Sequence, residues 1–75
     1  MNYSDDRKIM VGDKLVLWGN STGVVVCSFD DGVFSKKFPK SDWFYLKKGI
    51  LVESITEGVI HIEDSEPSFK LIERE

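Results

Sequence analysis

Apolar residues in this 75-residue chain come in short bursts, separated by turns rich in glycine and aspartate. Bursts of four to seven residues bounded by such turns read as strands rather than helices. The first expected strand covers 14–18, between Gly12-Asp13 and the turn cluster Gly19-Asn20-Ser21-Thr22-Gly23. The second covers 24–29 and is dense in β-branched residues, which suit a pleated surface. Asp31-Gly32 then predicts a two-residue type I′ hairpin. Its register sets Asp30 opposite Val33, Phe29 opposite Phe34 and Cys27 opposite Lys36. A third strand over 33–38 stops at Pro39, which has no N–H for a ladder. Ser41 is a suitable N-cap for a short helical or 3-10 turn near 41–46, and Gly49 breaks that turn. Residues 50–55 and 59–63 predict a second hairpin around Glu57-Gly58, pairing Ile55 with Ile60 and Glu53 with Ile62. Leu51, Ile55, Ile60 and Ile62 then share a buried face, with Ser54, Val59, His61 and Glu63 on the other. A loop through Pro67 leads to a last short strand over 69–72. Residues 1–8 are polar and aperiodic and are expected to be a disordered tail. Residues 9–75 form a single domain.

The predicted fold is all-β, with five or six strands closed into a small barrel, because closure removes edges that would otherwise aggregate. One helical turn before the penultimate hairpin fits an SH3-like arrangement. Residues 12–26 (GDKLVLWGNSTGVVV) resemble the KOW motif of SH3-like barrels in ribosomal proteins and transcription factors. That motif also opens with Gly-Asp before an apolar strand, then places a loop between glycines, here Gly19 and Gly23, before a β-branched strand. KOW loops tend to be longer and basic, whereas Asn20-Ser21-Thr22 is short and uncharged. The resemblance therefore bears on the fold more than on RNA binding.

Composition narrows the class. A chain this short buries a smaller share of its surface than a larger one, and a single cysteine, Cys27, rules out an internal disulfide. One unpaired thiol also fits a reducing compartment, so the protein is expected to be cytoplasmic. No apolar run approaches the ~20 residues that span a bilayer. The net charge of −3 gives no strong global pull toward nucleic acid or an anionic membrane.

The chemistry of catalysis is sparse. His61 is the only histidine, and Glu63 follows on the same strand face, but no nucleophile stands at a recognisable spacing. A cysteine facing Lys36 would have the electropositive neighbour that activates a thiol; a small structural cysteine is the simpler reading. One histidine and one cysteine do not make a zinc site. The acidic loops Asp30-Asp31 and Asp64-Ser65-Glu66 lack the ligand ladder of a calcium loop. The expectation is a protein with no enzymatic activity, no cofactor and no metal.

Charge is unevenly spread. Residues 36–48 (KKFPKSDWFYLKK) hold five of the ten basic residues, four aromatics and one acid, whereas 53–75 hold seven of the thirteen acids against two basic residues. Aromatic residues are enriched where proteins dock. Trp18, Trp43 and Tyr45, with Lys36, Lys37, Lys40, Lys47 and Lys48, are therefore the expected binding residues. Trp18, next to Leu17, is expected either to face outward or toward a neighbouring loop as a binding residue, or to cap the barrel. Three consecutive aromatics cannot all point one way, so Trp43 or Phe44 is expected to plug the barrel end. The reading is a small protein-binding module, such as an adaptor, regulator, immunity protein or inhibitor encoded by a mobile element. Its partner offers an acidic or apolar patch. The alternative is nucleic-acid binding through 36–48, where lysines contact phosphates and rings stack on bases. All five cations are lysine, without the bidentate fork of arginine, and lysines around a plugged barrel end also read simply as a solvated rim.

Overall fold

The computed structural model describes residues 1–43, 45–54, 56–66 and 68–74, with the backbone alone at Asn20. The strands are β1 (Lys14–Val16), β2 (Thr22–Ser28), β3 (Val33–Phe34), β4 (Ile50–Ser54), β5 (Gly58–Ile62) and β6 (Lys70–Glu73). One helical turn, α1 (Lys40–Trp43), stands between β3 and β4, and a 3-10 turn, Trp18–Asn20, follows β1. All strands belong to one antiparallel sheet in the order β5-β4-β2-β1-β6, with β3 also on β2. The protein is thus all-β. The sheet is open, with β5 and β6 as its two ends, so closure into a barrel is not part of the observed pairing.

Both hairpins depart from the expected register. In the first, Ser28 faces Val33 and Cys27 faces Phe34, not Asp30–Val33 and Cys27–Lys36. A type I′ turn needs positive φ at both central residues. Among the described residues outside glycine, only Asp6 has it, so Asp31 does not. A longer turn forms instead, closed by the Gly32 N–H to Phe29 O (3.3 Å), and Gly32 supplies the left-handed residue (φ 68°). The shift of two residues keeps side chains on their faces. Phe29 and Phe34 still meet edge to face at 5.7 Å. In the second hairpin, Ser54 faces Gly58, Glu53 faces Val59 and Leu51 faces His61. Here the shift is odd, which turns β4 over. Ile50 and Val52 face the main core with Ile62, and Leu51 faces the opposite way. Ile55, placed in that expected face, lies outside the described residues.

Leu51 is nonetheless buried, because β2 and β4 are covered on both faces. The first cluster holds Tyr3, Ile9, Leu15, Leu17, Val25, Ile50, Val52, Ile62 and Phe69. The second holds Val26, Cys27, Phe29, Phe38 and Leu51, with Phe34, Trp43 and Leu46 packed against it. A register shift between Val25 and Cys27 leaves Val26 as an extra residue opposite β4. Such a bulge lets Val26 and Cys27 join the same cluster. The chain between β3 and β4 thus covers the outer face of the sheet's centre.

The first eight residues, expected to fray, fold back along the sheet. Asn2 and Lys8 form an isolated antiparallel bridge, and the Tyr3 side chain is only 3% exposed in the first cluster. An aromatic ring with a hydroxyl partner inside the core gives this otherwise polar stretch its anchor.

Candidate functional site

Pro39 accepts the N–H groups of Asp42 (3.0 Å) and Trp43 (3.3 Å), which closes α1. This turn sets the Trp43 ring against Phe38, with centroids 5.6 Å apart. Phe38 is buried over Cys27 and Leu51. Tyr45 then stacks on Trp43, at 6.3 Å and 20° between planes, and is 62% exposed. The three rings form a ladder from core to solvent. Trp43 is half-buried against the second cluster on the outer face; Phe44, the other ring expected to plug an end, lies outside the described residues.

The lysines around this ladder differ. Lys37 Nζ lies 2.8 Å from Glu53 and 5.9 Å from the Phe38 ring centre. Lys48 Nζ lies 3.3 Å from Asp64. Lys36 and Lys40 are exposed and make no ion pair with a described residue. Lys47 is exposed on the same segment. Two carboxylates of the acidic half therefore sit beside the basic segment, so the charge split of the sequence is partly cancelled in space.

Trp18 belongs elsewhere. It follows β1, is 42% exposed, and meets Phe69 edge to face at 5.3 Å. Its Nε1 donates to Glu66 at 3.3 Å. No ring contact among the described residues joins it to Trp43 or Tyr45. Of the expected set, the structure brings Trp43 and Tyr45 together and sets Lys37 on the Phe38 ring beneath them; Lys36 and Lys40 are exposed in the same segment.

The residues considered for chemistry are held structurally. His61 Nε2 donates to the Lys48 carbonyl at 2.9 Å, and its ring rests on Phe29. Cys27 is fully buried; burial pushes its thiol up, away from the reactive thiolate. Opposite it stands Phe34, not Lys36.

Sequence reasoning missed the most constrained polar group. Asp13 is 0% exposed, yet it is charged. Tyr3 OH donates to its Oδ2 (2.8 Å), as does the Met10 N–H (3.0 Å). Arg74 Nε reaches Oδ1 at 2.8 Å and Nη2 reaches Oδ2 at 3.0 Å. Arg74 Nη2 also donates to Lys8 O at 2.8 Å. Burial alone pushes the Asp13 carboxyl up; the donors from Arg74, Met10 and Tyr3 outweigh it and hold the group below the usual carboxylate range. The Tyr3 hydroxyl is pushed well above the ordinary phenol range by burial first and by Asp13 second. Beside this network, residues 3–5, 7 and 69–71 line a cavity of about 310 Å³, which contains none of the expected binding residues. The available signal was a lone tyrosine in a polar start, with an arginine near the far end; neither implies the other locally.

No helix of the described residues is long and apolar enough to cross a membrane. No protein-family model, curated protein or solved structure matches this chain.

Proposed function

We propose that this protein is a non-catalytic module, built on an SH3-like barrel plan, that binds another protein through the surface of 36–48. The observation that carries this reading is the Trp43–Tyr45 stack, in which Tyr45 is 62% exposed on a ladder footed in the core. A ring already held in place loses little freedom on binding, so its burial is returned as affinity. Lys36 and Lys40, exposed in the same segment and without ion pairs to described residues, suit a partner with an acidic rim around an apolar patch. Trp18 and Lys48 extend the surface only if the partner is broad. The barrel plan is supported by the return of β6 to β1 and by the helical turn ahead of the β4–β5 hairpin. A cytoplasmic setting is part of the same reading, supported by the buried free thiol.

The test is quantitative affinity capture with wild type and the Trp43→Ala, Tyr45→Ala variant, both checked for folding. Tyr45→Ala alone should change stability by no more than about 0.5 kcal/mol, as for other exposed side chains. Partners enriched by the wild type should be lost from the double variant. Retention of every partner overturns the proposal. The second reading, nucleic-acid binding, draws on the same ring and lysines. It requires anisotropy-detected binding to single strands that falls steeply with salt. The carboxylates beside Lys37 and Lys48 count against it.

A further inference from the structure

The two ends of the sheet are protected differently. β6 carries Lys70 and Glu73, and its pairing with β1 is interrupted by a register shift between Lys14 and Leu15. Charges and irregular pairing are what natural sheets use to stop other strands from adding to an edge. β5 has neither. Gly58, Val59, Ile60, His61 and Ile62 carry no acid, lysine, arginine or proline, and all five pair with β4 in unbroken register. Among the described residues no strand pairs with the far side of β5. Residues 58–62 make no other backbone hydrogen bond among the described residues. Val59 is 44% exposed.

Both ends of this edge are acidic. Glu57 precedes it, with Oε1 accepting from Ser21 Oγ at 3.1 Å. Glu63 follows it, exposed and without an ion pair to a described residue. The two carboxylates are six residues apart in the sequence, roughly 20 Å along an extended chain. A second copy of β5 added antiparallel would set Glu57 against the copy's Glu63, like charge on like. A strand with cations at its ends meets opposite charge at both.

We propose that the far edge of β5 takes an extended segment of a partner protein as an added antiparallel strand. That segment has alternating β-branched residues and a lysine or arginine at each end. The acidic stretch after residue 53 then has a role separate from that of 36–48: it selects the charge of the strand that pairs.

Two seven-residue peptides test this, each with a Val-Thr-Val-Thr-Val centre. One ends in lysine and the other in glutamate at both termini. They are titrated into the ¹⁵N-labelled full chain. The lysine-ended peptide should shift the amides of 58–62, protect them from solvent exchange, and bind roughly tenfold more tightly than its counterpart. Added salt should shrink the difference. The Glu57→Lys, Glu63→Lys variant, altered at two exposed positions, should reverse the preference. N-methylation of alternate peptide amides should abolish binding, because the added strand is held through main-chain hydrogen bonds. Equal binding of both peptides, absence of binding up to millimolar concentration, or shifts confined to 36–48 each overturn the proposal. So does dimerisation of the chain alone through β5 in sedimentation experiments.

Discussion

Asp13 shows what a single residue can require of a fold. A carboxylate with no exposed surface is tolerated only when donors replace its lost hydration. Here they come from Tyr3, Met10 and Arg74. Arg74→Ala should lower the urea midpoint at pH 7, because it takes two donors from a carboxylate with no exposed surface. Urea unfolding measures it. The sign with pH follows from the lowered Asp13 pKa. The contribution is fully present above about pH 4, the unfolded value, and is lost as pH falls through the lower folded one. Wild type should therefore lose stability on acidification more than Asp13→Asn does. Equal acid profiles would remove Asp13 from the account. In the sequence, Gly12-Asp13 is legible only as a turn. Its partners come from positions 3 and 74, and no local pattern links residues so far apart.

At the scale of elements, the strands were legible, except that the third, expected over 33–38, ends at Phe34, and their pairing was not. Turn residues marked where strands end, since Gly and Asp punctuate for steric reasons that do not depend on the rest of the fold. Register depends on which glycine takes positive φ and on how many residues the loop keeps. Asp31-Gly32 and Glu57-Gly58 each supplied one such residue rather than two. Gly49 is a sharper case. It has φ 86°, and a Cβ there would run into Ile62 O and Glu63. Gly49→Ala should lower Tm by roughly 10 °C or more, from a left-handed residue and a backbone overlap together. Gly32→Ala, also left-handed but with nothing within 4 Å, should cost about 1 kcal/mol. Calorimetry of the two variants separates backbone preference from steric exclusion. If they melt alike, the close approach of β5 to Gly49 is not a constraint.

Across the whole molecule, two apolar clusters share the strands β2 and β4. The runs Val25-Val26-Cys27 and Ile50-Leu51-Val52 carry that information, because strands covered on both faces lose their alternation. Reading those runs as one-sided placed Leu51 in the wrong cluster. It also left the aromatic segment looking like a rim, when Phe38 and Trp43 in fact roof the second cluster. Cys27 lies beneath that roof, its Sγ 3.4 Å from Phe38 O, and reports on it. Phe38→Ala should accelerate thiol labelling of the native protein by roughly two orders of magnitude, while amide exchange at Val25 and Val52 changes far less. If labelling and exchange accelerate together, the two clusters open as one unit.

The Asp13–Arg74 clamp joins positions 61 residues apart in the sequence. It therefore bears on when the molecule becomes whole. A ribosome releases Tyr3 and Asp13 well before Phe69 and Arg74. Until then the nascent chain carries an unmatched carboxylate and a ring with no neighbour. Distant closures of this kind are slow to form, so folding of this domain is expected to wait until its final strand has left the exit tunnel.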